Sequence, residues 1–130
     1  MSAFKSTNQN KSNGKVNKIF EDIKKNRKIT KRPNFWKSPA HNPDNLERTW
    51  NSLKQIMKKG ALDPVTKELI YVAVSITNNC EYCIRSHTAA AKKKGATDQM
   101  IKEMIEVVGL ANQNNKLVAG YQVEVDKIYK

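Results

Sequence analysis

The chain has 130 residues, 38% of them hydrophobic, and a formal net charge of +12, which suits one domain with one hydrophobic core. No window approaches the roughly 20 apolar residues of a membrane span, and the start lacks the apolar stretch of a secretory signal, so a cytoplasmic protein with no membrane partner is expected. The charge is uneven: residues 1–40 hold 11 Lys and Arg against 2 Asp and Glu, while residues 41–130 hold 13 against 10. The excess therefore sits at the start, and Lys outnumbers Arg 20 to 4. Readers of phosphates and bases favour the bidentate Arg fork, so no specific nucleic-acid partner is expected.

Residues 1–14, MSAFKSTNQNKSNG, are almost without apolar side chains and read as a disordered basic leader ahead of a domain over 15–130. Val16, Ile19, Phe20 and Ile23 repeat at helical spacing and predict an amphipathic helix of about three turns. Pro33 and Pro39 then break the pattern around Phe35 and Trp36, an ordered loop whose aromatics need burial. Asn42-Pro43 is a helix start, with Leu46, Trp50, Leu53, Ile56 and Met57 as the buried stripe and Gly60 as the stop. Asp63-Pro64 repeats the start signal. The run LIYVAVSIT that follows is rich in β-branched residues, but the Asp-Pro start favours a helix buried nearly all round. Asn79 is placed to cap a helix from Cys80 to about Lys94, closed by Gly95. Thr97 caps the next, with Ile101, Met104, Ile105 and Val108 on one face. A last helix groups Leu117, Tyr121, Val125 and Ile128. The predicted fold is all-α, a single compact domain of about six helices.

Both cysteines and one of the two histidines fall in the eight positions Cys80 to His87. With two closely spaced cysteines in a reducing compartment, catalysis, redox sensing and metal binding are all better readings than a structural staple. On a helix, Cys80, Cys83 and His87 lie within about 60° of one another, and His87 is one turn beyond Cys83, within reach of its sulfur. The first turn supplies free N–H groups and a dipole that favour a thiolate at Cys80. If the chain reverses near Asn78, Glu68 and His87 both stand about 14 Å from the turn and face one another, so that the carboxylate can orient and charge the imidazole. An acid in contact with solvent reads equally well at that position. The rival is zinc, with Cys80, Cys83 and His87 as three ligands and His41 as a fourth. Structural zinc cysteines usually sit on a knuckle rather than in a capped helix, and nothing near His41 resembles a second ligand pair, so no metal and no cofactor is expected and His41 reads as a loop histidine.

Glu68, eleven residues, then Cys80-x-x-Cys83-x-x-x-His87 resembles the alkylhydroperoxidase D-like branch of the carboxymuconolactone decarboxylase family. The resemblance extends over TKELIYVAVSITNNCEYCIRSHT, Gly95 and LANQNNKLVAG, roughly residues 43–122. It implies an all-α domain that assembles as a homo-oligomer, a trimer or a hexamer. It also implies a thiol peroxidase in which a hydroperoxide oxidises Cys83 to the sulfenic acid. Cys80 then resolves it as a Cys80–Cys83 disulfide, His87 and Glu68 relay the proton, and an external dithiol or thioredoxin-like carrier reduces the disulfide. Tyr82 stands between the cysteines where peroxidases of this branch can carry a histidine, a change that a general disulfide reductase role tolerates. The decarboxylase branch, acting on a lactone acid without redox chemistry, is the family alternative, and retention of both cysteines favours the redox branch.

Overall fold

The computed structural model describes residues 14–130. Of the leader expected over residues 1–14, residues 1–13 lie outside them, and Gly14 is the first residue of a helix. Among the described residues there are six α-helices and no strands: α1 Gly14–Arg27, α2 Asn34–Lys37, α3 Pro43–Met57, α4 Pro64–Thr77, α5 Glu81–Lys93 and α6 Asp98–Gly120. The all-α fold class is as predicted. The described residues fall into two compact units that divide between Lys58 and Lys59, and each is described by itself.

In the first unit the predicted stripe of α1 is buried: Val16, Ile19, Phe20 and Ile23 form a core with Trp36, Ala40, Leu46 and Trp50. The two indoles meet edge to face, with centroids 5.3 Å apart, an arrangement that the ring quadrupoles favour. Asn42 caps α3 through its side-chain oxygen, which accepts from the Asn45 N–H at 3.1 Å, and Pro43 opens the first turn. Two expectations for burial fail here. Phe35 is exposed while its neighbour Trp36 is buried, because consecutive helical residues point about 100° apart and α2 has one inward face. Ile56 is exposed as well, since the core ends at Leu53 and the last turn of α3 runs past it.

The second unit carries the site. Asp63 caps α4 by accepting from the Thr66 N–H at 2.9 Å, as its Asp-Pro start predicts. Burial all round α4 does not occur: Glu68, Val72 and Ser75 are buried, whereas Ile70 and Val74 are open on the opposite side. The helix packs one face mainly on α5 and α6. Asn79 does not cap α5. It takes the left-handed conformation (φ 55°) and ends α4 in a Schellman turn, with Cys80 N–H bonded to Ser75 C=O at 2.9 Å and Asn79 N–H to Ile76 C=O at 3.1 Å. Asn suits either position, and the αL site after a helix won. The N-cap of α5 is Cys80.

Gly95 (φ 108°) closes α5 with the same pair of bonds, from Ala96 N–H to Ala91 C=O and from Gly95 N–H to Lys92 C=O. Thr97 caps α6 through a 3.1 Å bond from the Met100 N–H. Of its predicted inner face, Val108 is buried and Ile101 and Met104 are partly so, but Ile105 is open. The separate last helix is not formed. α6 runs unbroken over 23 residues because no proline interrupts residues 98–120. Leu117 belongs to α6, Tyr121 caps it, and Val125 and Ile128 follow in a tail with one short turn at Lys127–Tyr129.

Candidate functional site

The site is built on the α4–α5 hairpin. Cys80 and Cys83 are joined by a disulfide across the first turn of α5, with Cα atoms 5.3 Å apart. The Cys80 sulfur stands where a serine hydroxyl would in a helix cap, accepting from the Cys83 N–H at 3.3 Å. This places Cys80 at the N-cap rather than inside the first turn, and it puts a helical N–H on its own sulfur. A thiolate at Cys80 gains from that contact as well as from the helix dipole. Both cysteines are partly exposed.

One turn past Cys83, His87 is buried, and its Nδ1 lies 2.7 Å from Glu68 Oε2. Glu68 is also buried and receives a second hydrogen bond on Oε1 from Lys94 Nζ. Burial pushes the Glu68 carboxyl up, but the hydrogen bonds from His87 and Lys94, with the charge of Lys94, outweigh it and hold the group below its ordinary value. An ionised carboxylate only accepts, so His87 Nδ1 is the donor in this contact and Nε2 is the ring nitrogen turned away from Glu68. Tyr71, one turn beyond Glu68 on α4, stacks on the imidazole with centroids 3.5 Å apart and planes 17° apart. The ring is thus held in its plane by the stack and in its rotation by the carboxylate.

The structure brings Glu68 to His87, one of the two readings left open for that acid, and Cys80 to Cys83. Two participants were not marked by the sequence reading, Tyr71 and Lys94. The signal for both was helical spacing: Tyr71 is three residues from Glu68, and Lys94 is seven from His87, on one face two turns on. Tyr82 is 43% exposed at the mouth of the helix, and Arg85 pairs with Glu81 on the open side, 2.8 Å apart. Among the described residues no group of three or more His, Cys, Asp or Glu side chains is arranged to hold a metal ion. His41 lies in the short turn Pro39–His41 of the first unit. No described helix is long and apolar enough to cross a membrane.

The profile of the carboxymuconolactone decarboxylase family matches residues 43–123. A crystal structure of an alkylhydroperoxidase AhpD core from Rhodospirillum rubrum superposes with a TM-score of 0.92 at 39% identity, covering 99% of this chain and 97% of that one. An uncharacterized protein of the cox locus of Paracoccus denitrificans is 44% identical over 54 residues, 42% of this chain and 49% of its own. An alkyl hydroperoxide reductase AhpD of Solibacter usitatus is 31% identical over 74 residues, 57% of this chain and 40% of its own. These matches span less than half the length of each of those two relatives.

Proposed function

The chain belongs to the carboxymuconolactone decarboxylase family, in its alkylhydroperoxidase D-like branch, and on that footing we propose that it is a thiol-dependent peroxidase and disulfide oxidoreductase. The observation that carries this reading is the pairing of a Cys80–Cys83 disulfide with a buried Glu68–His87 contact on the same helical hairpin. A dithiol that closes across one helical turn, with an oriented imidazole one turn further along the same helix, is suited to giving up a proton from sulfur and passing two electrons through it.

In the reduced protein His87 Nε2 accepts the Cys83 thiol proton. The thiolate attacks the distal oxygen of a hydroperoxide, the O–O bond breaks, and the leaving alkoxide takes the Cys80 thiol proton to depart as the alcohol. Cys83 is then a sulfenic acid. The Cys80 sulfur attacks it, a disulfide forms and water leaves. An external dithiol carrier restores the two thiols by exchange and becomes a disulfide itself. Cys80, at the helix end, meets the carrier. The homologues named for alkyl hydroperoxide reduction and the shared core support a hydroperoxide as the oxidant, and the apolar faces left open on α4 and α6 support assembly as a homo-oligomer, for which the family resemblance implies a trimer or a hexamer.

Mass spectrometry after a short pulse of tert-butyl hydroperoxide, with thiols trapped at once, tests the reading on the pre-reduced chain. Stoichiometric conversion of free thiols to the Cys80–Cys83 disulfide is expected. Thiols that outlast the hydroperoxide unchanged overturn the proposal.

A further inference from the structure

Lys94 is bound into the site by geometry alone. It is the C-cap residue of α5, two turns beyond His87 on the same face, with the buried Ala91 between them. The turn at Gly95 (φ 108°) carries the chain away directly after it and leaves the lysine at the end of the helix, over Glu68. Each oxygen of the Glu68 carboxylate has its own donor, His87 Nδ1 on Oε2 and Lys94 Nζ on Oε1. The Glu68 and His87 side chains are 5% and 7% exposed, and that of Lys94 is 37% exposed. The ammonium is therefore the member of the trio that keeps contact with water while its charge reaches into the buried pair.

A carboxylate this deep is costly to keep ionised unless it is compensated. With only a neutral imidazole beside it, two outcomes compete with the arrangement seen. Glu68 takes up a proton and donates to Nδ1, which moves the ring proton to Nε2. Otherwise the imidazole takes a second proton and becomes a cation with both nitrogens occupied. Either outcome removes the lone pair on Nε2. A permanent positive charge on Oε1 disfavours both, since it stabilises the carboxylate and offsets its pull on a further proton. Tyr71 fixes the plane of the ring but does not choose between its nitrogens.

We propose that Lys94 is a positioning residue: by holding Glu68 as a charged, purely accepting carboxylate, it keeps the His87 proton on Nδ1 and leaves Nε2 bare. Its consequence for catalysis rests on the peroxidase reading above, whereas the position of the proton does not. The lysine touches neither sulfur nor substrate in this role. It acts through Glu68 on His87, and what it contributes is the form of the base rather than the base itself.

The test uses the full chain labelled with 15N, in the oxidised disulfide form and in a His41→Gln background, so that His87 supplies the one imidazole signal. Long-range proton–nitrogen correlation at neutral pH distinguishes a protonated nitrogen from a bare one. The parent protein should show a protonated Nδ1 and a bare Nε2. Lys94→Met should lose the bare Nε2 signal, and Lys94→Arg should keep it, because the guanidinium retains the charge. On the reduced proteins, thiol oxidation by tert-butyl hydroperoxide should fall by about a hundredfold or more in Lys94→Met, the scale of losing a positioned base, and Lys94→Arg should restore most of it. A bare Nε2 in Lys94→Met overturns the proposal, whatever happens to the rate. If Lys94→Met does not fold, Lys94→Gln carries the same measurements. A parent protein that ignores the hydroperoxide but shows the expected ring signals refutes the peroxidase reading and supports the placement of the proton.

Discussion

His87 and Glu68 are 19 residues apart in sequence, and their Nδ1 and Oε2 atoms are 2.7 Å apart in a buried contact. The short turn at Asn78 and Asn79 makes this meeting possible, because it returns α5 along α4 at a fixed register. The same register sets Tyr71 against the imidazole and Lys94 against the carboxylate.

The two sulfurs should divide their labour. His87 follows Cys83 by one turn, so Cys83→Ser should abolish sulfenic acid formation after a hydroperoxide pulse. Cys80→Ser should form it and hold it at Cys83, where dimedone labelling and peptide mass spectrometry find it. The Cys83 N–H bond to the Cys80 sulfur favours a thiolate at Cys80, which suits attack on the sulfenic acid. A label trapped in Cys83→Ser instead reverses the roles.

Acid should expose Glu68. Its carboxyl is held below the ordinary value in the fold, so the stability it contributes is complete above the unfolded value of about 4.3 and is lost as pH falls through the lower folded one. Asp22, Asp44, Asp63 and Asp98 are depressed as well, so the difference between two proteins is the informative quantity. Glu68→Gln should cost about 1–3 kcal/mol at neutral pH, the scale of a disrupted buried hydrogen bond. That gap should narrow as pH falls below about 4. Urea unfolding at several pH values measures it, and a gap that stays constant contradicts the assignment.

Gly95 should tolerate a side chain in space and not in backbone. A Cβ there meets nothing within 4 Å, yet φ is 108°. Gly95→Ala should therefore destabilise by about 1–3 kcal/mol through backbone strain alone. Because the residue ends the helix that carries His87 and Lys94, its hydroperoxide-driven thiol oxidation should slow as well. An unchanged urea midpoint counts against this.

Assembly should follow the open apolar faces. α4 leaves Ile70 and Val74 exposed, and α6 leaves Val107, Leu110, Leu117 and Val118, more than a lone helical unit usually shows to water. Sedimentation at micromolar concentration should find a species several times heavier than the 14.8 kDa chain. Val74→Lys combined with Leu110→Lys should shift it toward the monomer, whereas a monomeric parent protein removes the proposal.

Legibility in the sequence followed the range of the interactions. Asn42-Pro43, Asp63-Pro64 and Thr97 mark helix starts because a cap is made within three residues, and such chemistry is visible in a short window. Asn79 was misplaced by one role because the same side chain serves an N-cap and a left-handed helix end, and the choice depends on where α4 stops. The exposure of Ile56, Ile70 and Val74 depends on which neighbours a helix finds, and periodicity marks an apolar face without saying what covers it. Glu68 could be paired with His87 by counting residues from a reversal. Lys94 is one of 20 lysines, and only the fold selects it.

Cys80 belongs to two structures at once. Its N–H closes the turn that ends α4, bonded to Ser75, and its sulfur caps the start of α5. The backbone at the redox centre is thus pinned from both sides, on the α4 side by a bond between backbone atoms alone. Making or breaking the sulfur–sulfur bond then asks for side-chain rotation and little else. If the pair works like a contact breaker mounted on a rigid bracket, the hairpin should keep its shape while electrons come and go, and amide exchange at Cys80 should be equally slow in both redox states.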